Sequence, residues 1–291
     1  MDKYFLADAY TTLWPEPKEN YERQYGYNLT THPTAVCARA LSAYNRWGAT
    51  GIEEAKQEFF KGVDWLVENQ DENGAWPVLF DWKVPGYEAK APWVSCITQG
   101  MGLSVLARAA YISKRYTGAL QAAVHPFFVY AGEGGLLANG DRKGLETWYE
   151  GIPSKKPKKH HRLLNEVLFA IIGLREAEQA LRPLSGWQRA YYGWYRGFRS
   201  VTKHLSDFDL KLPFFKWSKY DDGYYWYSGP KYHWVVIRQL EWLADQTGDA
   251  VCKKYAEKWK RWGEQYGKDC TALYVMIRVW RLYGILLRKL K

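Results

Sequence analysis

The chain has 291 residues, enough for one large domain or two modest ones, and its 47% hydrophobic and 25% charged residues match ordinary soluble globular usage. That balance speaks against wholesale disorder, and no uncharged apolar run of about 18 residues suggests a membrane span. The net charge of +10, from 41 Lys and Arg against 31 Asp and Glu, suits a polyanionic partner. Nucleic acid is the weaker candidate, because no helix-turn-helix, zinc-finger or RNA-recognition signature accompanies the charge; an acidic polysaccharide or glycan is the stronger one.

The N-terminal stretch Met1-Asp2-Lys3-Tyr4-Phe5-Leu6-Ala7-Asp8 lacks a basic region followed by an apolar one, so the chain reads as soluble and cytoplasmic. Residues 1–30 read as an irregular lead-in, and 31–291 as one helical domain. Thr34 to Trp47 and Ile52 to Asn69 carry apolar residues at helical spacing, separated by Gly48 and Gly51: a helical hairpin. After the Asp71 to Gly74 turn, Val78-Leu79-Phe80 has the character of a short strand. Trp93 to Lys114 and Thr117 to Val129 form a second helical pair, followed by a long loop through Gly132, Gly140, Gly144 and Gly151 that holds Trp148-Tyr149-Glu150. Helical pattern resumes over His161–Leu181 and Gly186–His204. It stops for an aromatic-rich loop from Asp207 to Pro230, then returns over Tyr232–Gln246, Ala250–Tyr266 and Cys270–Leu290.

About nine helices in pairs, without a fixed repeat length, predict a mainly α protein: an α/α toroid, complete or incomplete, with minor strand content in its loops. A plain helical bundle leaves a similar trace. Sixteen Trp and 23 Tyr supply flat apolar faces, about two-thirds of which are expected in the core and the rest along a sugar-binding cleft. Cys37, Cys96, Cys252 and Cys270 show no paired spacing and read as buried free thiols. His160 and His161 lie near Glu166, yet adjacent histidines point in different directions on a helix, so no metal and no cofactor is expected. Phosphate-loop, dinucleotide-fingerprint, HExxH and GxSxG motifs do not occur. Asn28-Leu29-Thr30 is a glycosylation acceptor only in an exported protein.

Trp93-Val94-Ser95-Cys96-Ile97-Thr98-Gln99-Gly100, running on through Ser104, Leu106, Arg108 and Ala109, resembles the W-x-S-A-M-A-Q-G-Q-x-x-S-x-L-x-R-A helix of the D-glucuronyl C5-epimerase C-terminal catalytic domain. Further similarities keep the family order: His32-Pro33, Asn73-Gly74 with Trp76-Pro77, Trp148-Tyr149-Glu150 with Pro153, Asn165 with Ile172-Gly173-Leu174, and Tyr232-His233 with Ile237, Gln239 and Leu240. The resemblance covers nearly the whole chain. It implies a toroid that acts on uronic-acid residues of a heparosan-like polysaccharide or other acidic glycan; a homodimer is compatible with it.

Moving a C5 proton from one face of a uronate to the other requires one group to abstract and one to donate, with a partner for the charge that develops on the carboxylate. By resemblance, Tyr232 is the leading acid or base, and a second tyrosine falls on Tyr225 or Tyr227, with Trp226 at the directly matching place. The family's Glu-Tyr pair in W-Y-E-E-Y-P falls on Gly151 and Ile152, which transfer no protons, so Tyr149 and Glu150 are substitutes only if the loop shifts register. Glu166 stands where glycine is usual, and is either a compensating carboxylate of raised pKa or a solvated helix face. Trp93, Gln99, Arg108, Trp148, Asn165, Glu166, Trp226, His233 and Gln239 are the substrate-contact candidates that the resemblance implies. The main reading is a uronate C5-epimerase. The alternatives are a catalytically altered polysaccharide-binding protein, and a polysaccharide lyase or glycoside hydrolase on the same scaffold.

Overall fold

A computed structural model describes residues 4–5, 32–84, 87–138, 147–153, 162–212, 215–222, 228–266 and 279. Eight α-helices lie among them: α1 (Pro33–Thr50), α2 (Glu53–Glu68), α3 (Cys96–Ile112), α4 (Thr117–Ala122), α5 (Leu164–Leu181), α6 (Trp187–His204), α7 (Pro230–Thr247) and α8 (Ala250–Glu264). Two antiparallel hairpins sit in the connections: β1 (Trp82–Val84) with β2 (Tyr87–Ala89), and β3 (Asp209–Leu212) with β4 (Phe215–Ser218).

Helix α1 packs on α2 and α3, α3 on α5, α5 on α6 and α7, and α7 on α8. Odd-numbered helices therefore form an inner layer and even-numbered ones an outer layer, the arrangement of an α/α toroid. Composition explains the sorting. Sixteen of the eighteen residues of α5 are buried, as its run Val167-Leu168-Phe169-Ala170-Ile171-Ile172 requires. Helix α6 buries a single stripe that includes Ala190, Trp194, Phe198 and Val201, so it covers the layer from outside.

The inner helices touch at backbone distance. A methyl group added at Gly100 on α3 would overlap the Phe169 carbonyl of α5, and one at Gly173 on α5 would overlap the Gly100 carbonyl. Beside this crossing, Arg108 on α3 donates to both carboxylate oxygens of Glu176 on α5, at 2.8 and 3.0 Å, inside the core. The rings of Tyr4 and Tyr44 lie 5.0 and 5.4 Å from the Arg108 guanidinium. Tyr4 also exchanges two 2.7 Å hydrogen bonds with Asn45 of α1, while Phe5 stacks on Trp242 of α7. That dipeptide thus ties the first inner helix to the last.

Connections within each helix pair are short, and those between pairs are long: 69–95, 123–163 and 205–229. Because paired helices run antiparallel, the long connections and the N-termini of α3, α5 and α7 share one rim.

The structure bears out the mainly α, toroidal expectation and adjusts its details. The second helix of the second pair stops at Ala122 rather than continuing to Val129. Pro126 lacks an N–H and would press its ring on the carbonyl four residues back, so the chain proceeds as a 3₁₀ turn at His125–Phe128. Val78 forms only an isolated bridge to Trp93, and the hairpin strand lies at Trp82–Val84 instead. Cys37, Cys96 and Cys252 are buried free thiols. The expected helix at 270–290, the lead-in apart from Tyr4 and Phe5, and the residues Tyr225, Trp226, Tyr227, His160, His161 and Cys270 lie outside the described residues. None of the helices described is long and apolar enough to cross a membrane.

Candidate active site

The loop-bearing rim is stitched together by main-chain bonds that bring distant segments onto the helix starts. Cys96 N, the first donor of α3, bonds to Glu150 O at 3.0 Å, so the 147–153 loop lies across the end of that helix. At the start of α5, Leu164 N donates to Tyr220 O at 3.3 Å, and Leu163 bridges Asp221. Arg162 N donates to Asp222 Oδ1 at 2.8 Å. Helix donors without intrahelical partners are satisfied here by loop carbonyls, which fixes the loops.

Glu166 occupies the first turn of α5 and is 7% exposed. Its Oε1 accepts from the Tyr220 hydroxyl at 3.3 Å, whereas Oε2 is buried with no hydrogen-bond partner among the described residues. Burial pushes its carboxyl up to about 7, and the Tyr220 hydroxyl pulls it back only in part. Oε2 lies where a side chain on residue 151 would begin, since a methyl group added at Gly151 would coincide with it. Glycine at 151 is what admits the Glu166 carboxyl.

Glu150, on the facing loop, is also pushed up to about 7 by burial. Both carboxyls act on the same thiol, because each helps to raise the pKa of Cys96, after burial, the largest cause. Tyr232, half-buried at the start of α7, meets the Tyr220 ring edge to face with 5.4 Å between centroids. A partly exposed tyrosine thus adjoins a second tyrosine that holds a buried carboxyl. Trp148 stacks on Phe208 at 6.0 Å with the Arg162 guanidinium 5.5 Å from its ring, and Trp93 donates its indole N–H to Phe80 O at 2.8 Å. These two aromatics frame the rim.

Several expected site residues are placed elsewhere, for identifiable reasons. The Tyr149 hydroxyl donates to Gly193 O of α6 at 2.7 Å and its ring packs on Phe127, so it faces the outer layer. Gln99 spans from α3 to Gly74 O and Ala123 O, and Gln239 ties α7 to Asn165 O of α5. Asn165 is likewise buried. Arg108 is consumed by Glu176. His233 lies flat on Trp217 with 3.6 Å between ring centroids; its Nε2–H donates to Trp259 O and its Nδ1 accepts from Ser218 Oγ. Burial lowers its pKa to about 4, so it is a neutral brace. The side-chain donors of Gln99, Arg108 and Gln239, the ring nitrogens of His233 and the Tyr149 hydroxyl thus meet groups within the protein, while Asn165 Oδ1 is buried with no hydrogen-bond partner among the described residues. No group of three or more potential metal ligands occurs among the described residues.

Tyr220 escaped sequence reasoning. It lies 54 positions from Glu166, in an irregular segment where no periodicity forecasts which way a ring points. It is one of many aromatics in the 207–230 segment, and its place before Asp221-Asp222-Gly223 does not single it out.

Fold and rim together define an α/α toroid whose loop end gathers buried carboxyls and paired tyrosines. The family profile described as "D-glucuronyl C5-epimerase C-terminus" matches residues 70–261, and the chain belongs to that family. It is 28% identical over 234 residues to a D-glucuronyl C5-epimerase of Caenorhabditis elegans, an alignment covering 74% of this chain and 36% of the worm protein. The chain therefore spans little more than a third of that relative. An uncharacterized protein of Methanocaldococcus jannaschii is 24% identical over 254 residues, 81% of this chain and 78% of its own. Among solved structures, an unsaturated glucuronyl hydrolase of Streptococcus agalactiae superposes with a TM-score of 0.48 at 12% identity, covering 88% of this chain and 68% of that one.

Proposed function

We propose that this chain is a uronate C5-epimerase acting on an acidic polysaccharide or glycan, with Tyr232 as one of its proton-transfer groups. The observation that carries the reading is the contact of half-buried Tyr232 with Tyr220, whose hydroxyl is bonded to the buried Glu166, on the loop rim of a member of the epimerase family. The C5 proton of a uronate is weakly acidic because the adjacent carboxylate delocalises the charge left behind. A phenol removes such a proton only when a nearby acceptor takes its own. The net charge of +10 favours capture of a polyanion.

Incubating the protein with a glucuronate-containing polysaccharide in deuterated water should place deuterium at C5, detectable by NMR. Binding without any C5 deuterium sinks the epimerase reading. Tyr232→Phe should lower exchange by about 10²-fold or more while leaving binding nearly intact.

A second reading has one specific observation behind it. Gly151 and Ile152 stand at positions where proton-transferring residues are expected by resemblance, which favours a binding protein on an altered scaffold. Retained affinity with no exchange and no cleavage products would support it. Unsaturated or new reducing ends would instead identify a lyase or a hydrolase.

A further inference from the structure

We infer that Tyr220 and Glu166 form an acid–base couple that carries out one of the two proton transfers, with Gly151 kept free of a side chain so that the carboxyl can enter. This rests on the epimerase reading and deepens it by naming a proton-transfer group outside the family motifs quoted above.

Three independent features meet at the couple. Tyr220 is partly exposed, lies on the loop rim, and directs its hydroxyl at Glu166 Oε1, 3.3 Å away. Glu166 is 93% buried, with Oε2 unpartnered among the described residues, in a space that an ordinary residue at 151 would fill. An unpaired buried oxygen costs stability, so a purely architectural glutamate is poorly served there. The third feature is the ring contact with Tyr232, which puts the couple beside the leading acid–base candidate.

The proton accounting closes without any co-reactant. Ionised Glu166 takes the Tyr220 hydroxyl proton; the Tyr220 oxygen then takes the C5 proton, and the C5–H electron pair moves into the enolate of the substrate carboxyl. Reprotonation of C5 on the opposite face by the Tyr232 hydroxyl completes the inversion. One proton returned from the Tyr220–Glu166 pair to Tyr232 restores the starting state. Tyr220 is the catalytic residue in this scheme, and Glu166 is a positioning residue that acts through it.

Full-length Tyr220→Phe, Glu166→Gln and the exchange variant Gly151→Glu/Glu166→Gly should be compared with the wild type for C5 deuterium uptake and for melting temperature. Tyr220→Phe should lose about 10²-fold or more in kcat with KM nearly unchanged and melting preserved. Glu166→Gln, which fills the same space but takes no proton, should lose at least about tenfold. The exchange variant, which supplies a carboxyl from the opposite wall, should recover part of what Glu166→Gly alone loses. Wild-type exchange that persists at full rate in Tyr220→Phe or Glu166→Gln overturns the couple alone. A loss of kcat matched by a fall in melting temperature in both variants also overturns it, in favour of a structural role. Absence of C5 exchange in the wild type overturns the epimerase reading and the couple together.

Discussion

Helix α5 buries three glutamates, Glu166, Glu176 and Glu178, and the first two are treated in opposite ways. Glu176, in the body of the toroid, receives both arms of Arg108, whose guanidinium lies against the rings of Tyr4 and Tyr44. Glu166, at the rim, has one oxygen on a tyrosine hydroxyl and the other on no hydrogen-bond partner among the described residues. Burial alone therefore does not identify a reactive carboxyl. The matching cation makes the difference: it turns the first glutamate into a fixed brace, while burial without a cation raises the carboxyl of the second to about 7.

The largest effect that tests this contrast lies at the brace. Arg108→Ala should destabilise the protein by about 3–5 kcal/mol in chemical denaturation, because it strands Glu176 without a partner. The double replacement Arg108→Met/Glu176→Leu should recover most of that loss. A cost of less than about 1 kcal/mol for the single change would remove the distinction between the two glutamates.

At the rim, the sign of the pH dependence is opposite to that of a salt-bridged acid. An acid whose folded pKa, about 7, lies above its ordinary 4.5 holds more protons folded than unfolded across that interval, so stability falls as pH rises through it. Glu166→Gln should thus be more stable than the wild type above pH 7, by up to about 3 kcal/mol, and show no such advantage near pH 4.5. Cys96, Glu150 and Tyr220 also face this region, and the residual slope in Glu166→Gln reports on Glu150. Equal stability profiles would show that Glu166 titrates as an ordinary surface acid.

The smallest effect separates two tyrosines. Tyr149→Phe removes only a bond to Gly193 O and should cost about 1 kcal/mol with C5 exchange unaltered. A collapse of exchange in Tyr149→Phe would return Tyr149 to the reaction.

Helical elements were legible in the sequence wherever an amphipathic period or a breaker marked them. Gly51 and Gly248, both left-handed, end α1 and α7 where the pattern stops, and Asp249 caps α8 by accepting from Cys252 N. The motif residues were legible as well, but their roles divided. Tyr232 reached the rim, whereas Gln99, His233 and Gln239 on the inner helices turned inward, each donating a side-chain N–H to a main-chain carbonyl.

Composition, period and breakers therefore determined a set of helix pairs joined by long loops, because burial of an apolar stripe and the limits of proline and glycine act within a few residues of chain. Only the tertiary structure decided that Glu166 fills the space left by Gly151 and that Tyr220 is the hydroxyl it meets. Those placements depend on backbones distant in sequence being held together, and local propensity contains no term for that.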